Sequence, residues 1–144
     1  MEGIGKMNSV EKVKEYLGQV MGVENRIDTK LEKIRYYRSL AERSTNIFST
    51  EKVNGGVSAR NRMEECVCKI VELEEAARDD IWELVALKAE IEGIIRKVGR
   101  AEYKQLLELR YICSKTLEQV ANDMGYSCRQ VVRLHRMALQ SIVR

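Results

Sequence analysis

A chain of 144 residues, 33% charged and 44% hydrophobic, is long enough for one ordinary domain or for a small domain with an extension. With no proline, one Phe and one Trp, and abundant Lys, Glu, Leu, Ile and Val, its composition is that of an all-α protein. The formal charge of +3 is too small to imply nucleic acid by itself, but it is uneven: from Arg100 to Arg144 eight Lys/Arg stand against four acids, so that part is +4 and the remainder −1.

Residues 1–8 contain two glycines and little to bury, and a frayed N-terminus is expected there. Met1-Glu2-Gly3-Ile4-Gly5-Lys6 lacks an apolar secretory core, and no apolar run approaches the length of a membrane span. A cytoplasmic protein with no membrane partner is therefore expected. Asn8 or Ser9 can cap a long helix reaching about Arg43, with apolar positions at Val10, Val13, Leu17, Val20, Ile27, Leu31, Ile34 and Ala41. The three-four alternation is broken at Glu24 and Arg38. From Ser44 to Arg60 the pattern dissolves into Ser, Thr and Asn around Asn54-Gly55-Gly56, which predicts a mobile loop over 44–60.

The alternation resumes from about Asn61 to Val98 with Met63, Val67, Ile70, Ala77, Ile81, Leu84, Ile91, Ile95 and Val98. Two helices of about 50 Å each, at about 1.5 Å rise per residue, would fold back on each other as a long antiparallel, coiled-coil-like hairpin over 9–98. Each stripe is narrow, so Tyr37, Leu40, Val71, Val85 and Leu87 would be left under-buried by a hairpin alone. The hairpin is expected to be completed by a second copy, making a homo-oligomer such as a dimer, or by the C-terminal domain.

Gly99 marks the boundary of that domain, residues 100–144. A third helix, about Ala101 to Ile112, carries Tyr103, Leu106, Leu107 and Tyr111 on one side. Two short helices follow, Thr116 to Met124 and Cys128 to Ile142. Thr116-Leu117-Glu118-Gln119 and Ser127-Cys128-Arg129-Gln130 are both capping boxes, in which the hydroxyl accepts from the backbone three residues on and the Gln amide reaches back. Gly125 suits a left-handed turn, and Tyr126 is placed to pack on Val131 as a hydrophobic staple. Together the three helices predict a trihelical helix-turn-helix domain.

At about 100° per residue, Leu134, His135, Ala138 and Ile142 lie within about 60° of Val131, while Arg129, Arg133, Arg136 and Gln140 lie opposite. No carboxylate occurs between Ser127 and Arg144. Three arginines alone would fit any solvated helix face. Joined to the caps, the turn glycine and the apolar spacing, they point to double-stranded DNA, because a guanidinium fork suits phosphate oxygens and the O6/N7 edge of guanine.

Cys66, Cys68, Cys113 and Cys128 have no paired ligand spacing, and His135, the one histidine, falls on the apolar face. Reduced thiols and no metal or other cofactor are expected. No acid–base pair, activated nucleophile or nucleotide loop can be assembled, so an enzyme is not expected.

Over about the last third of the chain, these residues resemble region 4 of bacterial sigma-70 factors, and more closely the phage and prophage regulators of the RinA and ArpU type. Leu106-Leu107-Glu108-Leu109-Arg110-Tyr111 is similar to the helix before the motif, Thr116-Leu117-Glu118-Gln119-Val120-Ala121 to the scaffold helix. Ser127-Cys128-Arg129-Gln130-Val131, Arg133-Leu134-His135 and Ala138-Leu139 resemble the recognition helix. The resemblance implies a sequence-selective transcription regulator acting near a promoter, with helix 128–142 in the major groove. Arg129 and Arg133 are expected near base edges, Arg136, Gln140 and Lys115 at phosphates, with Ser127 and Gln130 completing the DNA-facing set. Phe48 and Trp82 are the only Phe and Trp, too few to capture melted DNA, so strand opening would fall to host RNA polymerase as a partner. Two alternatives remain: a small terminase subunit that packages DNA as a ring, and a helical module that binds only protein.

Overall fold

The computed structural model describes residues 8–50 and 56–143, and the side chains of 8–44 and 60–143. Among the described residues five helices follow one another and no strand occurs. They are α1 (Val10–Thr50), α2 (Gly56–Arg96), α3 (Ala101–Leu107, continued by a π-helical turn over Glu108–Ile112), α4 (Leu117–Met124) and α5 (Cys128–Ile142). Ser9 starts α1, its Oγ accepting from the backbone N–H of Lys12 at 3.3 Å. No described helix is long and apolar enough to cross a membrane.

Where the loop expected over 44–60 falls on described residues, it is helix instead. Helix α1 continues to Thr50 and α2 begins at Gly56, so helix replaces loop at 44–50 and 56–60. Loss of apolar periodicity is not a stop signal: Ser, Thr and Asn each cost at most about 0.7 kcal/mol relative to Ala. A helix already nucleated gains a hydrogen bond with each residue added, and no proline blocks it. Residues 51–55, where the mobile loop was expected, and residues 1–7 of the expected frayed N-terminus lie outside the described residues.

The chain forms two compact units, Val23–Glu83 and, separately, Met1–Gly22 with Leu84–Arg144. In the first, α1 and α2 pack antiparallel, since partners advance along one helix as they recede along the other. Arg26 meets Glu83 at 2.6 Å, Lys30 pairs with Asp80, and Arg38 reaches Glu74 at 3.7 Å.

The seam within this unit matches the expected one only in part. Ile27, Ile34 and Ala77 are buried as expected, but Leu31, Val67 and Ile81 are exposed, and Val23 and Cys66 are buried in addition. On α1 the inward row is Val23, Ile27, Lys30, Ile34, Tyr37; on α2 it is Cys66, Ile70, Leu73, Ala77, Asp80. Both keep an unbroken three-four alternation. A hydrophobicity pattern misses this because Lys30 and Asp80 occupy seam positions and satisfy each other there, with side chains only 23% and 15% exposed.

In the second unit the first turns of α1 and the last turns of α2 share a core with the C-terminal helices. Val13, Leu17 and Val20 of α1 and Ile91, Ile94, Ile95 and Val98 of α2 pack with Tyr103, Leu107 and Tyr111 of α3 and Ala138, Leu139 and Ile142 of α5. A smaller cluster, Leu106, Val120, Ala121 and Val131, joins α3, α4 and α5. Gly99 thus interrupts the helix but not the core, and the C-terminal domain covers the end of the hairpin. Val71 and Val85 remain exposed, as expected, whereas Leu87 packs partly against the core of this second unit.

Candidate nucleic-acid interface

Helices α4 and α5 begin as their sequences dictate. Gln119 N–H donates to Thr116 Oγ1 at 3.2 Å and Thr116 N–H to Gln119 Oε1 at 2.9 Å. The second box repeats the geometry, Gln130 N–H to Ser127 Oγ at 3.2 Å and Ser127 N–H to Gln130 Oε1 at 2.9 Å. Between them Gly125 takes φ +72°, and the Tyr126 N–H returns to the Ala121 carbonyl at 2.9 Å. A side chain at Gly125 would cost about 1 kcal/mol or more in that conformation.

The turn is held from a second direction. Tyr126, expected to staple onto Val131, is 37% exposed, and its hydroxyl donates to Glu102 of α3 at 3.0 Å. That bond also holds the phenol's proton more tightly than usual. Helix α3 ends in the π-helical turn, where Cys113 N–H reaches Glu108 O at 3.0 Å, and Ser114 follows at φ +57°. Lys88 of α2 closes this end, donating from Nζ to Ile112 O at 2.8 Å and Ser114 Oγ at 3.3 Å. Arg110 Nη1 donates to the Lys115 carbonyl at 2.8 Å and so fixes the entry to α4.

Helix α5 is anchored by one side. Val131, His135, Ala138, Leu139 and Ile142 are buried, each Val, Leu or Ile contributing roughly 1.5–3 kcal/mol. His135 sits among them as a neutral imidazole, its Nε2 2.7 Å from the Tyr111 hydroxyl. Burial, with Arg110 and Lys14 nearby, lowers its pKa to about 4, and burial raises that of Tyr111 to about 12. The packed role expected for His135 is the observed one.

On the opposite side Arg129, Arg133, Arg136 and Gln140 are all exposed. Among the described residues no carboxylate pairs with any of the three arginines. Ser127 and Gln130 are exposed but engaged with each other, which fixes how Gln130 is presented: its carbonyl faces the Ser127 N–H and its NH2 faces out. Lys115 is less available than expected. It pairs with Asp123, and that hydrogen bond raises its pKa above the usual lysine value.

Sequence reasoning did not find two neighbours of the arginine row. Glu11 and Lys14, on the first turns of α1, line a cleft of about 420 Å³ together with Arg129, Arg133 and Arg136. No short-range signal marks them, because they lie more than a hundred positions away in the chain. All four cysteines are free thiols; Cys66 is buried and Cys68, Cys113 and Cys128 are exposed.

Residues 42–142 match the family described as "Protein of unknown function (DUF1492)". No curated protein and no solved structure matches the chain.

Proposed function

The chain belongs to the DUF1492 family, whose description names no activity, and we propose that it is a sequence-selective DNA-binding regulator of transcription. The observation that carries the proposal is the row Arg129, Arg133, Arg136 and Gln140, exposed and free of acidic partners on a helix whose other side is buried. A row of unpaired arginines would by itself fit a solvated face, since exposed ion pairs are worth little; what supports the reading is its place on the second helix of a capped helix–turn–helix. Among the described residues two glutamates share clefts with the row, Glu11 with Arg129, Arg133 and Arg136 and Glu102 with Arg133, and neither forms an ion pair with it.

In this proposal α5 enters the major groove of double-stranded DNA, with Arg129 and Arg133 at base edges. Arg136 and Gln140 serve phosphates, and Lys115 does so only after exchanging Asp123 for the backbone. By its resemblance to sigma region 4, the protein is of phage type, acts in the cytoplasm and works beside a host RNA polymerase that opens the duplex. One short helix reads only a half-site, so a dimer or the polymerase must supply the remaining affinity. Exposed Val67, Val71, Ile81 and Trp82 on α2, the last 69% exposed, favour association through the hairpin.

Selection of bound fragments from random duplexes tests the reading. A recovered motif whose specificity is lost at one position in Arg133→Ala supports it. Absence of any salt-sensitive duplex binding would remove it in favour of a protein-binding module.

A further inference from the structure

Phosphate and sugar contacts position a major-groove reader on the duplex, and the groove between the backbones is about 12 Å wide. On α5 itself the cations form one row. The cleft of about 420 Å³ beside that row is walled on its other side by the start of α1, which brings Glu11 and Lys14 opposite Arg129, Arg133 and Arg136. Both α1 side chains are exposed. The cleft has no Phe, Tyr or Trp on which a base could stack; beside the apolar Val10, Val132 and Leu139 it carries four cationic side chains and one carboxylate, and those cations suit sugar-phosphate backbone.

We propose that the first turns of α1 are part of the nucleic-acid interface, Lys14 binding backbone phosphate across the cleft from the arginines and Glu11 limiting how tightly that backbone is held. The hairpin is then more than a tether, because its end carries one flank of the binding surface. Lys14 lines the same cleft as His135, and its charge adds to burial and Arg110 in lowering the proton affinity of that imidazole. Glu11 faces a basic cleft without pairing, so it acts on an arriving phosphate by repulsion while leaving the arginines free.

The inference rests on the DNA-binding reading, and the test separates the two. Fluorescence anisotropy of the full chain with a labelled random-sequence duplex of about 20 base pairs is measured between about 50 and 200 mM salt. Lys14→Gln is expected to reduce the slope of log affinity against log salt by about 0.9, and Lys14→Arg to restore it. Glu11→Gln is expected to tighten binding roughly two- to fivefold at low salt. Far-ultraviolet circular dichroism establishes that each variant is folded. Wild-type slope and affinity in both Lys14→Gln and Glu11→Gln, with weakened binding in Arg133→Ala, would overturn the role of α1 and leave the DNA reading standing. No salt-dependent binding by the wild type would overturn both.

Discussion

Tyr111 and His135 meet between α3 and α5 through a hydrogen bond of 2.7 Å from hydroxyl to Nε2, their rings stacked with centroids 5.8 Å apart. This neutral pair fixes the helix that carries the arginine row against the helix that precedes the motif. Its cost is a histidine whose protonation in the folded chain is deferred to about pH 4.

The pH dependence of stability follows. His135 titrates near 4 when folded and near 6.5 when unfolded, so below about 6.5 the unfolded chain binds a proton that the folded one refuses. Stability should be fully present above that pH and fall as pH drops from about 6.5 towards 4, with a slope approaching 1.4 kcal/mol per unit. Urea titrations of wild type and the double variant Tyr111→Phe, His135→Leu check this. The double variant should lose that slope, and an unchanged slope would contradict the assignment.

Gln130 allows capping and recognition to be separated. Gln130→Glu keeps an acceptor for the Ser127 N–H and suits the helix N-terminus, so the thermal midpoint should hold or rise slightly. The same change removes the outward NH2 and adds a negative charge beside Arg129, so duplex affinity should fall by about tenfold. Ser127→Ala should instead cost about 1 kcal/mol of stability.

Arg133 and Lys115 should behave differently. Arg133→Ala should cost about 1–3 kcal/mol of binding and relax preference at one base pair. Lys115→Ala should lower the salt slope by less than about 0.9, because Lys115 is already partnered by Asp123. Asp123→Asn should steepen the slope by releasing the lysine. Footprinting in which Arg133→Ala and Lys115→Ala weaken all sequences equally would refute this division.

Lys88 is expected to matter for stability without touching nucleic acid. Lys88→Met leaves the Ile112 carbonyl and the Ser114 hydroxyl without their shared donor and should cost about 1–3 kcal/mol in chemical denaturation. Its folded form should keep the wild-type salt slope.

The hairpin offers a double-variant cycle. Asp80→Leu alone strands the Lys30 ammonium in a half-buried seam and should destabilise, whereas Asp80→Leu with Lys30→Leu should recover most or all of the loss. Additive losses would mean that the two residues do not act as a pair.

How far the chain could be read without coordinates follows from the range of each interaction. Both capping boxes, the left-handed Gly125, the buried side of α5 and the outward arginines depend on residues within about four positions of one another. Such signals are complete in the local sequence, and they determined the all-helical class and the helix–turn–helix. The register of α1 on α2 was not legible, because the decisive seam positions, Lys30 and Asp80, look polar until each is seen to satisfy the other. The same holds for Lys115, withdrawn by Asp123, for Tyr126, drawn to Glu102, and for Lys88 closing α3. Only the tertiary fold could set Glu11 and Lys14 beside Arg129, Arg133 and Arg136. Charges far apart along the chain become neighbours through the apolar packing that joins α1, α2, α3 and α5, and that packing carries no short-range mark of which surface groups it will bring together.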